Sequence, residues 1–254
     1  MKKNYFNFKN TKTLVLGGSS GFGRHFSKVL SNAGSEVYVV ARNFHKLKTL
    51  KKECEEENGK VNIFKCDINS ENHVKKFLND LKKKTKSLNL VIYCCGNNIR
   101  DEYLNIKFKD FLNVINTNYI SAFKIYKKLF PFLKNAEYSR IINLTSIFSS
   151  RTIPKRTSYS TSKSALLMLT KSLALEWSKH NITVNSISPG PFLTEINLPV
   201  LKNKKEYNKM CNKIPLGRFG NVDEIVTAML FLASKYSSYV NGSEIVVDGG
   251  WTVS

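Results

Sequence analysis

Short, continuously apolar and β-branched runs alternate along the chain with longer stretches whose apolar positions recur at helical spacing. The runs at 13–16, 36–40, 61–65, 90–94, 140–144, 183–187 and 244–247 read as strands. Apolar character at successive positions, rather than at every second one, is what a parallel strand covered on both faces requires. Helices are predicted at about 22–33, 44–58, 71–85, 108–133, 159–179 and 222–234. Strand and helix in alternation predict an α/β fold, a single doubly wound parallel sheet with helices on both faces. Right-handed crossovers then bring the C-terminal ends of all strands to one edge, where a ligand crevice opens. No repeat, low-complexity tract or Pro/Gly-rich linker interrupts the pattern, so one domain over 1–254 is expected. The polar, lysine-rich segment 198–213 breaks the rhythm. With the residues leading into it (192–213) it is expected to be a mobile lid on the substrate side.

Length and composition agree with that reading. A chain of 254 residues, 42% hydrophobic, can bury a full core and is too apolar to be disordered. No run approaches the roughly 18 apolar residues of a membrane span. The basic N-terminus leads into an apolar run (14–16) too short for a signal-peptide core, so a cytoplasmic protein without membrane contact is expected. The five cysteines, Cys54, Cys66, Cys94, Cys95 and Cys211, are odd in number and have no metal-ligand spacing; they read as reduced thiols, with no metal expected. Cys94 and Cys95 read as small residues of the fourth strand.

Charge changes the picture more. Forty Lys and Arg against nineteen Asp and Glu leave a net +21. Such an excess can serve nucleic acid or an acidic partner. The lysines, however, are spread over the polar sides of helical patterns rather than gathered in a tail, and no nucleic-acid module is visible, so a solvated surface is the expectation.

Two places carry chemistry. The first strand runs into Gly17-Gly18-Ser19-Ser20-Gly21-Phe22-Gly23 and a helix begins at once. Glycines allow a tight turn and close approach of backbone to a pyrophosphate, and the helix N-terminus offers free N–H groups to the anion. The second strand ends in Ala41-Arg42-Asn43, without the carboxylate that would hold ribose hydroxyls and favour NAD. Arg42 can clamp a 2′-phosphate, helped by Ser19 and Ser20, so NADP is expected over NAD. The alternative is that Arg42 is a plain surface arginine. The other place is Tyr159-Ser160-Thr161-Ser162-Lys163. Residues four apart share a helix face, and an ammonium beside a phenol lowers its pKa towards the range of general acid–base catalysis.

These residues, with Ser146 thirteen positions before Tyr159 and Asn118 twenty-eight before Ser146, resemble the short-chain dehydrogenase/reductase family. Gly17, Gly21 and Gly23 match its glycine spacing, with Leu16 where a threonine is usual. The likeness implies a Rossmann-type fold and an oxidoreductase interconverting a ketone and a secondary alcohol. It implies that Tyr159 moves the proton, Ser146 holds the substrate oxygen, Lys163 depresses the Tyr159 pKa and holds the nicotinamide ribose, and Asn118 bends its helix around a relaying water. Thr145 is the alternative to Ser146 if the strand register shifts by one. By the same likeness Asp67, followed by Ile68, meets the adenine; Gly96, Pro189, Gly190, Phe192 and Thr194 line the cofactor; and Phe22 sits in the glycine loop. Tyr93 and Cys94 stand where the family has two asparagines, the first of which braces the sheet. A homotetramer is also implied.

For the substrate, Arg100, Arg151, Lys155 and Arg156 flank the crevice motifs, and Lys202, Lys204, Lys205 and Lys209 lie on the lid. A cationic rim suits a small anionic substrate, with Arg100, Arg151 and Ser146 as its contacts. The run Pro189–Glu195 and Arg100 resemble gluconate 5-dehydrogenase-type enzymes, which implies a sugar acid or polyol; the overall pattern is also similar to β-ketoacyl-acyl-carrier-protein reductases. A dinucleotide-binding sensor without turnover is the alternative of another class.

Overall fold

The computed structural model describes residues 4–253; Met1–Lys3 and Ser254, which the single-domain reading includes, lie outside the described residues. Seven strands, β1 (Lys12–Leu16), β2 (Glu36–Ala41), β3 (Lys60–Lys65), β4 (Leu90–Tyr93), β5 (Ser139–Leu144), β6 (Ile182–Pro189) and β7 (Glu244–Val247), form one all-parallel sheet in the order β3-β2-β1-β4-β5-β6-β7. The order reverses between β1 and β4, and it is there that a crevice opens beyond the strand ends.

Because side chains alternate across a strand, each continuously apolar run feeds two cores at once. Leu14, Leu16, Tyr38, Val40, Val91, Tyr93 and Ile141 pack on one face, under α3 (Glu71–Lys84), α5 (Ser121–Lys134) and α6 (Thr157–Trp177). Val15, Val37, Val39, Ile92, Ile142 and Ile187 pack on the other, under α1 (Gly21–Asn32), α2 (Phe44–Glu56) and α9 (Val226–Ala233). A third, smaller cluster joins Ile147, Val200, Cys211, Ile214, Phe219 and Trp251.

Two expectations are corrected. The helix predicted over 108–133 is two helices, α4 (Phe108–Ile115) and α5, joined by a π turn at Asn116–Ile120. Helical backbone continues through the π turn into α5, so a helical pattern spans the junction without a visible stop. The cause is polar: Asn118 is wholly buried and bonded elsewhere, and the Tyr93 hydroxyl donates to the Thr117 carbonyl at 2.7 Å. Tyr93 thus ties β4 to the π turn from the position where a bracing asparagine is lacking. Secondly, β4 ends at Tyr93, and Cys94 and Cys95 follow it, half-buried, at the crevice. The segment 192–213, expected as a lid, is helical in part. It contains α7 (Leu198–Leu201) and α8 (Lys204–Cys211), which present Val200 and Cys211 to the third cluster while Lys202, Lys204, Lys205 and Lys209 point to solvent. Short amphipathic pieces in a lysine-rich context read as merely polar.

Arg140, at the start of β5, is 1% exposed and has no carboxylate in its hydrogen-bonding set. Its guanidinium donates to the carbonyls of Ser139 (3.0 Å), Ser234 (3.3 Å) and Lys235 (3.0 Å), the latter two just beyond α9. A cation at a helix C-terminus completes carbonyls that the helix leaves unpaired and opposes the negative end of its dipole. Arg140→Met is expected to lower stability by about 2 kcal/mol, from unpaired buried acceptors. A fall in the urea midpoint at unchanged slope checks it; an unchanged midpoint would mean that water satisfies those carbonyls.

Candidate active site

The loops after β1 to β6 converge on the crevice. A cavity of about 250 Å³ lies over the first four strand ends, lined among others by Gly17, Ser19, Ser20, Arg42, Asp67, Ile68 and Gly96. It continues into one of about 170 Å³ that shares Gly17, Ser20, Cys94 and Gly96 and adds Gly21, Phe22, Gly23, Tyr159, Lys163, Pro189 and Thr194. A third, of about 90 Å³, takes over at Phe22, Tyr159 and Thr194 and reaches Ser146, Arg100, Arg156, Gly190, Phe192 and Met210. The crevice is therefore one trough from Arg42 to Arg156, and every sequence-predicted cofactor contact borders it.

The glycine loop is built for an anion. A Cβ on Gly17 would fall 2.8 Å from the Cys95 nitrogen, and one on Gly23 would fall 2.5 Å from the Gly17 carbonyl oxygen, so both are fixed by close packing of backbone. Gly21, in the left-handed region (φ 50°), has no atom within 4 Å of a Cβ position. Its bare face opens on the trough beside the α1 N-terminus, where Ser20 makes no side-chain cap and the first turn carries no acid. That is the cradle a pyrophosphate fits. Arg42 is exposed at the far end of the trough; its neighbour Lys46 is paired with Glu195 at 2.8 Å, a bridge from α2 to the segment after β6. Asp67 Oδ1 accepts the Asn69 N–H at 3.0 Å.

Around the substrate end, α6 places Tyr159 and Lys163 on one face, with Lys163 Nζ 5.8 Å from the Tyr159 ring centroid. The Lys163 ammonium donates to the Leu144 carbonyl at 2.6 Å. Ser146 Oγ accepts the Phe148 N–H at 3.2 Å, capping a 3-10 turn (Ile147–Ser149), and its hydroxyl faces the Tyr159 phenol. Thr145 is tied into the sheet through the Ile187 carbonyl (3.0 Å) and Ser188 Oγ (2.7 Å). Of the two register alternatives, Ser146 is the hydroxyl beside Tyr159. Asn118 donates to the Asn97 carbonyl (3.0 Å) and Ser162 Oγ (2.9 Å) and accepts the Asn97 N–H at 2.9 Å, which locks the π turn to the loop after β4 and to α6.

Electrostatics differ from the expectation in one respect. Burial pushes the Tyr159 phenol up, and what draws it back is the Ser146 hydrogen bond and the positive charge of Arg156 and Arg100. Lys163 is itself lowered by burial to about 8. Arg151, expected at the substrate, is exposed and borders a separate cavity with Phe148, Lys213 and Trp251. Arg156 takes the place beside Tyr159 instead. Thr117, Asn98 and Met210 also line the trough and carry no signal in the sequence, since they are delivered by a π turn, a loop and the short helix α8.

With that geometry in view, comparison with known proteins defines the class. A family model described as enoyl-(acyl carrier protein) reductase matches residues 17–252. The chain belongs to the short-chain dehydrogenase/reductases, enzymes that act as oxidoreductases on alcohol and ketone groups. It is 29% identical to gluconate 5-dehydrogenase of Gluconobacter oxydans over 98% of this chain and 97% of the relative. It is 31% identical to 3-oxoacyl-acyl-carrier-protein reductase of Rickettsia prowazekii over 94% and 95%. Among solved structures it superposes on a gluconate 5-dehydrogenase from Burkholderia cenocepacia in complex with NADP and tartrate, with TM-score 0.93, 26% identity and 98% of both chains covered.

The lowered Lys163 fixes a sign for stability. A lysine whose folded value lies near 8, below its ordinary 10.5, leaves the folded state holding fewer protons; stability therefore rises with pH between those values. Below pH 8 the fold must bury an ammonium without a carboxylate. Lys163→Met is expected to melt a few degrees (~3 °C) above the parent at pH 7. The gap should narrow as pH rises from 8 towards 10. Thermal melts across that range check it, and a lower-melting variant would show that the Leu144 carbonyl compensates the charge.

Proposed function

We propose that the protein binds NADP(H) and interconverts a ketone and a secondary alcohol, with Tyr159 as general acid and base and a sugar acid or polyol as substrate. The observation that carries this reading is the meeting of Tyr159, Ser146 and Lys163 where the glycine-loop trough narrows into the small pocket. The dinucleotide, when bound, supplies or accepts the hydride. In reduction Ser146 donates a hydrogen bond to the substrate carbonyl oxygen and supports the charge that develops there. Tyr159, a neutral phenol at pH 7, gives that oxygen its proton and recovers one from solvent. In the reverse direction the phenolate takes the hydroxyl proton, so alcohol oxidation gains as pH rises. Lys163 holds the nicotinamide ribose and lends positive charge while protonated. Gly17 to Gly23 hold the pyrophosphate, Asp67 and Ile68 border the adenine, and Pro189, Gly190, Phe192 and Thr194 border the nicotinamide.

Arg42 and the missing carboxylate after β2 support NADP over NAD, as does the NADP in the Burkholderia relative. Likeness to the Gluconobacter enzyme supports the sugar-acid substrate, while the Rickettsia relative supports reduction of an oxoacyl thioester as the second reading. Residues 192–213 serve as the substrate-side cover, since Asn197 and Met210 border the pocket. Exposed Leu104, Phe108 and Phe123, on and before α4 and α5, support association into a homotetramer.

Tyr159→Phe is expected to cut ketone reduction by roughly 100- to 10,000-fold while NADPH still binds, as followed by absorbance and by fluorescence titration. Reduction at the parent rate would refute the assigned proton donor. Arg42→Asp is expected to move the NADPH/NADH preference at least ~10-fold towards NADH in kcat/KM; an unchanged ratio would remove Arg42 from the cofactor site.

A further inference from the structure

Arg156 is the cation that the fold leaves unanswered. It is 7% exposed, it stands at the N-cap of α6, and its Nη1 is buried with no hydrogen-bond partner. Buried guanidinium groups are ordinarily paired, because desolvating one without a counter-charge costs several kcal/mol. Among the described residues, no carboxylate borders the pocket it faces. Nearby acids are engaged elsewhere: Glu102 with Lys155 at 3.4 Å and Glu195 with Lys46 at 2.8 Å.

Other positive groups gather around Arg156. Arg100 borders the same pocket, and the two guanidiniums repel: burial and Arg100 together bring Arg156 down to about 10. The α6 N-terminus, the positive end of a 21-residue helix with no acid in its first turn, adds its dipole. Phe148 lies 5.8 Å from the Arg156 guanidinium carbon and lends its ring face to the cation. Just before Arg156 the chain passes through a left-handed lysine, Lys155 (φ 67°), a conformation lysine seldom adopts. The anionic parts of a dinucleotide have their own places at the glycine loop and Arg42, in the other half of the trough.

We propose that Arg156, with Arg100 beside it, binds a carboxylate of the substrate, so that the protein acts on a small hydroxy or oxo acid rather than on a neutral ketone. The inference deepens the proposed function and rests on it for the position of the reacting oxygen. A planar guanidinium fork matches a carboxylate in two parallel hydrogen bonds and so fixes orientation as well as charge. Held there, the acid would keep its oxidisable or reducible carbon near Ser146 and Tyr159, which border the same pocket. At about 90 Å³ the pocket suits a compact acid better than a carrier-bound acyl chain. Arg156 is thus a specificity residue that sequence likeness does not mark: its neighbours in the motif, Tyr159 and Lys163, do the marking.

The test is calorimetric titration of the NADP-loaded protein with tartrate, an inert hydroxy acid, and with threitol, its neutral counterpart. Tartrate is expected to bind and threitol not. Arg156→Met should weaken tartrate roughly 10- to 100-fold, and Arg156→Lys, which keeps the charge, should recover part of the loss. Since each variant alters the large net charge by one at most, attraction to the general surface would survive both substitutions. Thermal melts confirm that a variant is folded; if Arg156→Met is not, Arg156→Lys and Arg100→Met carry the comparison. Absence of tartrate binding in the parent, or equal binding by parent and folded variants, overturns the proposal. A separate assay of NADPH oxidation with a neutral keto-sugar and with a keto-sugar acid keeps the two readings apart. Ketone reduction without tartrate binding leaves the proposed function and removes the carboxylate site, whereas tartrate binding that depends on Arg156 with no reduction of any carbonyl does the opposite.

Discussion

A parallel sheet covered on both faces has water only at its strand ends, and all the carbonyl-bearing ends of this one lie along a single edge. Whatever occupies that edge must be polar, and it must be assembled from loops that the strands themselves hold in register. The trough from Arg42 to Arg156 follows from that constraint. The ends of β1 to β6 all contribute residues, so no single stretch of chain contains the site, yet each contribution is fixed by the ladder behind it. The reversal of order between β1 and β4 parts the loops and leaves room for a long ligand.

The fold was legible because burial on two faces imposes unbroken apolar runs, and such runs are rare by accident. All seven strands were predicted within a residue or two of where they lie, as in the case of Glu244–Val247. Two kinds of feature were not legible. One is the π turn at Asn118, where polar side chains from β4 and α6 decide the backbone and periodicity is silent. The other is the pair α7 and α8, whose few apolar residues, Val200 and Cys211 among them, gain meaning only from Ile147 and Trp251 far along the chain.

The candidate site divides in the same way. Gly17, Gly21, Gly23, Tyr159 and Lys163 could be picked out because geometry demands those residue types at fixed spacing. That Arg156 and Arg100 also act on the Tyr159 phenol could not, because it depends on which arginines the fold turns into the pocket. Arg151 and Arg156 look alike on paper. One turn of chain around Lys155 leaves the first facing water and folds the second inward.

Strand β5 carries a buried cation at each end, Arg140 where it begins and Lys163 against the carbonyl of Leu144 where it stops. Both are held by backbone oxygens, which do not titrate. Carboxylates drawn below their ordinary range, Glu53, Glu71 and Glu224, are instead in ion pairs at or near the surface. Acidification therefore dismantles the periphery first, while the two anchors of the central strand keep every bond they had. Against them stands the growing self-repulsion of a chain already at +21. Resistance of this molecule to acid is a contest between a charge-rich shell that loosens and an ionic interior that has no proton to gain.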